Sequence, residues 1–66
     1  MTRKDVMSKF NQIGGSFEYI KIELINGSSI FFHNNDMIRF REKSFTIYNE
    51  CYNIQICYHH IRNITN

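Results

Sequence analysis

The stretch "YIKIELINGSSIFFH", residues 19–33, decides the class of the fold. Ile20, Ile22 and Leu24 fall at every second position, with Tyr19, Lys21 and Glu23 between them. A period of two marks a half-buried strand, because successive side chains on an extended chain leave opposite faces. Asn26-Gly27 follows, a strong short-range hairpin signal because both residues tolerate positive φ. The return strand, "SSIFFH", then turns Ile30 and Phe32 inward.

The same grammar continues to the C-terminus. "NND" (34–36) reads as a turn, and "MIRFRE" as a strand with Ile38 and Phe40 inward and Met37, Arg39 and Arg41 outward. After the turn "EKS", "FTIYN" buries Phe45 and Ile47; after "NECYN", "IQICY" sets Ile54, Ile56 and Tyr58 on one face. His59-His60 and a short segment "IRNI" close the pattern. No crossover long enough for parallel pairing separates any two strands. Closely spaced short strands with regular turns predict a small antiparallel barrel or sandwich.

Ahead of the strands, "MTRKDVMSKFNQIGG" predicts one short helix over about residues 3–13. Thr2 is its cap, with Asp5 in the capping-box position. Val6, Met7, Phe10 and Ile13 form an apolar stripe, and Gly14-Gly15 ends it. The fold class is therefore mostly β: a short N-terminal helix, then a five- to six-stranded antiparallel SH3-like barrel, in a single domain spanning 1–66 with strands within 17–64.

Sixty-six residues bury only about 60% of the surface their unfolded chain exposes. Domains of this size usually gain stability from a disulfide, a metal or a partner subunit. Ten aromatic residues, six Phe and four Tyr, exceed what one small core absorbs. Tyr19, Phe31, Tyr48 and Tyr52 fall on outward faces, where they serve as stacking platforms or as subunit interface. A homo-oligomer is the expectation. The net charge of +2 permits nucleic-acid binding without arguing for it. No apolar run approaches a membrane span and no signal peptide is visible, so the expected location is cytoplasmic, with Cys51 and Cys57 as reduced thiols. The Ile, Asn, Lys, Phe and Tyr bias is that of AT-rich coding sequences, as in many low-GC bacteria and their phages.

Two motifs resemble those of Sm-like proteins, among them the bacterial RNA chaperone Hfq, in which a short helix precedes a curved five-stranded barrel. "IKIELINGSSI" (20–30) resembles the first Sm motif: alternating apolar residues, a leucine, Asn-Gly, then a return strand. "IQICYHHIRNI" (54–64) resembles the second as Hfq carries it, with Tyr58, His59 and His60 at the Tyr-Lys-His positions. Phe32 stands where the family has glycine, and His59 where it has lysine. The resemblance implies an Sm-like barrel whose subunits join edge strands into a ring. It further implies that Tyr58, His59 and His60 contact the bases of single-stranded, U-rich RNA.

The residues themselves add a second element. Arg39 and Arg41 on the outer face of one strand, with Lys43 at the following turn, form a cationic ladder able to track phosphates. The plainer reading is a charged edge strand resisting aggregation, its cations paired with Glu42 and Glu50. Metal binding is not expected, because adjacent strand residues point to opposite faces and C-x₅-C-x-H-H is not a zinc pattern. No phosphate loop, nucleophile elbow or paired carboxylates occur, so neither an enzyme nor a cofactor is expected. The alternative to RNA binding is a small protein-interaction module, of phage or plasmid type, that grips a host protein through its aromatic face or an open sheet edge.

Overall fold

A computed structural model describes all 66 residues. Helix α1 spans Arg3–Ile13 and is followed by β1 (Tyr19–Leu24), β2 (Ser29–His33), β3 (Met37–Phe40), β4 (Ser44–Tyr48) and β5 (Asn53–Cys57). A single 3₁₀ turn, Tyr58–His60, then leads into β6 (Ile61–Thr65). The strands form two three-stranded sheets, ordered β2-β1-β6 and β3-β4-β5, with every pairing antiparallel. No backbone ladder joins the sheets, so the barrel is not closed by hydrogen bonds.

The helix starts where a capping box places it. The Thr2 hydroxyl accepts from the Asp5 N–H at 3.2 Å, and the Asp5 carboxylate accepts from the Thr2 N–H at 3.0 Å. It stops at Gly14, which takes φ 76° and donates its N–H to the Phe10 carbonyl. Val6 is wholly buried and Phe10 and Ile13 pack against the core, but Met7 lies at the surface. The expected four-residue stripe is thus three residues wide. Phe10 meets Phe32 of β2, Phe40 of β3 and Phe45 of β4, with ring centroids 5.6, 5.9 and 6.3 Å away. One helical side chain therefore bridges both sheets.

The first hairpin differs from the two-residue turn that Asn-Gly predicts. Gly27 alone takes positive φ, at 91°. Its N–H donates to the Leu24 carbonyl while the Leu24 N–H donates to the Ser28 carbonyl, which makes a three-residue loop over 25–27. Asn26 contributes through its side chain, whose Oδ1 accepts from the Ser28 N–H at 2.9 Å. This is the common alternative in which a turn precedes one left-handed glycine.

The last strand holds a second departure from plain alternation. Ile61 and Ile64 are three residues apart, a spacing that should set them on opposite faces, yet both are buried. The β1–β6 register shifts between Glu23 and Leu24: Glu23 opposes Asn63 while Leu24 opposes Ile61. Arg62 is the extra residue of this bulge, which resets the parity and returns Ile64 to the core.

Ten buried residues make one core: Val6, Ile20, Ile22, Phe32, Phe45, Ile47, Ile56, Tyr58, Ile61 and Ile64. Full burial of each large apolar side chain contributes about 1.5–3 kcal/mol. The 3₁₀ turn links the two sheets: Tyr58 donates its N–H to the Lys43 carbonyl in the β3–β4 turn, and the His60 carbonyl accepts from Ile25 in the β1–β2 loop.

Candidate nucleic-acid interface

Strand register organises the outer face of β3-β4-β5 into rows. Met37 pairs with Tyr48, which pairs with Asn53; Arg39 pairs with Thr46, which pairs with Gln55. Arg41 continues the β3 line past its end, donating its N–H to the Ser44 carbonyl. Arg39, Arg41, Thr46, Tyr48, Asn53 and Gln55 line a shallow concavity of about 470 Å³. It has two unlike walls. The β3 side carries two guanidiniums, the β5 side carries two primary amides, and Thr46 and Tyr48 form the floor between them.

Neither arginine is paired. The charged contacts are Arg62 with Glu23 at 3.9 Å and, when the imidazole is protonated, His33 with Asp36 at 3.7 Å. The expected partners Glu42 and Glu50 do not reach the ladder, so Arg39 and Arg41 keep their charge toward solvent. Lys43 is exposed in the adjoining turn, and only its carbonyl is engaged, by Tyr58. On the opposite wall Gln55 is held in place: its Nε2 donates to the Ser44 Oγ at 2.9 Å.

The Tyr58-His59-His60 motif divides. Tyr58 is a core residue, 4% exposed, with its ring stacked on Phe45 at 5.7 Å. Its hydroxyl donates to the Arg41 carbonyl at 2.5 Å. Burial pushes the phenol up, against opposing influences from the Arg3 charge and the Arg41 contact. A ring so placed is withdrawn from the surface, which corrects its expected place beside a base: strand parity carries it inward with Ile54 and Ile56. His59 and His60 are both exposed. A regular strand would send them to opposite faces. The 3₁₀ turn instead brings their rings into edge contact, with centroids 4.4 Å apart. His60 lines a second concavity of about 400 Å³ with Leu24, Ile30, Gln55, Ile56 and Cys57. Gln55 borders both depressions, so the histidine turn and the arginine face adjoin.

A third cluster is structural. Asp36, buried at the β2–β3 corner, accepts from the His33 N–H at 3.0 Å, the Asn49 side-chain amide at 2.8 Å and the Tyr52 hydroxyl at 2.5 Å. The loop "HNND" thereby docks on the β4–β5 turn. Cys51 and Cys57 are free, the first exposed and the second half-buried. No three His, Cys, Asp or Glu side chains converge on a point that could hold a metal ion. No helix is long and apolar enough to cross a membrane.

Thr46, Asn53 and Gln55 were not singled out by motif. Their signal lay in parity, since each occupies an outward position on a strand whose inward residues are apolar. Only register shows that Thr46 and Gln55 stand in the row of Arg39, with Asn53 in the neighbouring row. Comparison with protein-family models, curated proteins and solved structures finds no match to the chain.

Proposed function

We propose that this protein binds single-stranded RNA across the outer face of β3-β4-β5. The carrying observation is that Arg39 and Arg41 stand unpaired on one wall of a polar concavity. Two residues along a strand separate them by about 6.6 Å, comparable to successive phosphates of an extended single strand. Uncompensated cations lining a groove attract a phosphate backbone, and an aromatic floor residue such as Tyr48 offers a face for a base. Lys43 and the exposed pair His59 and His60 extend the same surface beyond Gln55. The order of elements, a short helix ahead of closely spaced antiparallel strands, supports an Sm-like barrel architecture, and the exposed aromatics Tyr19 and Phe31 support a homo-oligomeric assembly.

The test is fluorescence anisotropy of a labelled oligouridine at low salt. Binding should weaken with added salt, and Arg39→Ala with Arg41→Ala should lower the slope of log K against log salt by about 1.4. His60→Ala should weaken binding as well. No binding of oligouridine, oligoadenine or oligocytosine by folded wild-type protein at low salt overturns the reading. Native mass reports the assembly: a hexamer or heptamer supports the Sm-like proposal, and a monomer removes it.

One observation favours a second reading, a module that binds a host protein. Phe31 and Tyr19 are exposed and packed edge to face at 5.3 Å on the outer side of β1-β2. The bonds from Leu24 to Ser28 and from Asn34 to Glu18 set the phase of this ladder. Phe31 therefore turns its N–H and C=O away from β1, along the free edge of β2. An uncharged edge with an exposed aromatic at its centre suits strand addition. A stoichiometric host protein in a pull-down, lost on Phe31→Lys, supports this reading.

A further inference from the structure

We infer that the face formed by β3-β4-β5 selects its nucleic acid by base sequence, with Asn53 and Gln55 as the residues that read the bases. This inference rests on the RNA-binding reading above and adds to it a division of labour between the two walls. The guanidiniums of Arg39 and Arg41 lie along β3, and the amides of Asn53 and Gln55 lie along β5, with β4 between. Two interstrand spacings separate the walls by roughly 10 Å. A strand whose phosphates follow the arginines has room to lay each base over the floor, with its polar edge toward an amide.

The chemistry differs between the walls in the way recognition requires. A guanidinium on a phosphate supplies affinity and carries no sequence information. A primary amide offers one acceptor and two donors, and it can match two atoms on a base edge at once. Gln55 is also tethered in place. Its amide contacts Ser44 Oγ at 2.9 Å, which holds the side chain in position and leaves the rest of the amide edge for a ligand. A side chain already held in position loses less conformational freedom when it meets a base. Asn53 and Gln55 alternate on one strand, so they address two successive nucleotides; Gln55 stands in the row of Arg39 and Asn53 in the row of Met37, so the amides run one row offset from Arg39 and Arg41.

The experiment is competition anisotropy with labelled oligouridine, oligoadenine and oligocytosine of equal length, on wild-type protein and on Asn53→Ala, Gln55→Ala and Arg39→Ala. Both amide residues are exposed, so these substitutions leave the fold in place. The amide dispersion of each variant by NMR verifies this. Wild-type protein should prefer one homopolymer by about tenfold or more. Asn53→Ala and Gln55→Ala should each reduce that preference several-fold while leaving the salt slope unchanged. Arg39→Ala should lower the slope and keep the preference. Equal affinity for all three homopolymers overturns this inference while RNA binding stands, as does an unchanged preference in both amide variants. Failure of all three to bind overturns the RNA-binding reading and this inference with it.

Discussion

The Tyr52 hydroxyl donates to Asp36 Oδ2 at 2.5 Å and so ties the β4–β5 turn to the β2–β3 corner. Burial acts to push the Asp36 carboxyl up. The donors that surround it, led by Tyr52 and followed by the His33 N–H and the Asn49 amide, outweigh this and hold it below the ordinary carboxylate range. The same bond pushes the Tyr52 phenol up. A folded-state pKa below the unfolded value means that folding favours the charged form. The resulting stability is complete above the ordinary value of 3.8 and is lost as pH falls through the lower folded value.

Asp36→Ala is therefore expected to cost about 2–3 kcal/mol near neutral pH, because it strands several donors at once. The difference from wild type should shrink as pH falls below the ordinary carboxylate range. Urea denaturation across a pH series measures both. A gap of constant size throughout the acid range would contradict the electrostatic role assigned to Asp36. Tyr52→Phe should raise the Asp36 titration midpoint, read directly from the carboxyl carbon resonance by NMR.

Tyr58→Phe separates packing from ligand contact. Removing the hydroxyl from the Arg41 carbonyl should cost about 1 kcal/mol. The ring remains in the core, so oligouridine affinity at low salt should not change. A folded Tyr58→Phe protein with several-fold weaker binding would return the hydroxyl to the ligand surface.

Phe45 is wholly buried and faces Phe10, Phe40 and Tyr58, with ring centroids within 6.3 Å. Phe45→Ala should cost about 3–5 kcal/mol. A chain of this length holds only about 3–10 kcal/mol in total. The variant should show a broad, low-temperature thermal transition by circular dichroism. A sharp transition close to that of wild type would mean that the aromatic cluster is not the centre of the core.

At the N-terminus, Thr2→Ala should cost about 1 kcal/mol, whereas Thr2→Ser should be nearly neutral. The Asp5 carboxyl is held below its usual range by its bonds to Thr2, first to the backbone N–H and then to the hydroxyl. Thr2→Ala should move it back toward the ordinary value. An Asp5 titration unaffected by the substitution would show that the hydroxyl half of the box contributes nothing in solution.

Much of this architecture was legible beforehand because local rules and burial agree. The helix over 3–13 is bounded by a capping box and a glycine, each a property of a few adjacent residues. The inward faces of β1, β2 and β4 followed from strict alternation, and Ile20, Ile22, Phe32, Phe45 and Ile47 are all buried. Met7 was misplaced because its turn of the helix lies off the line joining Val6 and Phe10. Asn26 was expected at positive φ, but a three-residue loop needs only Gly27 there.

The site was legible in part. Arg39, Arg41 and Lys43 were visible as outward cations, and their pairing with Glu42 and Glu50 was the plainer expectation that the geometry did not meet. His59 and His60 share a side because the chain leaves strand geometry for one turn, a change no periodicity announces.

Alternation, turn residues and caps determined the elements, their order and their inward faces, since each depends on contacts within a few residues. Tertiary structure decided the rest. The bulge at Arg62 chose the face of Ile64, the Asp36 cluster closed one corner, and register set Gln55 across from Arg39 and Asn53 across from Met37. The reason is physical: register and corner geometry are fixed by packing between segments distant in sequence, and a period of two says which face a residue takes but not which residue stands beside it.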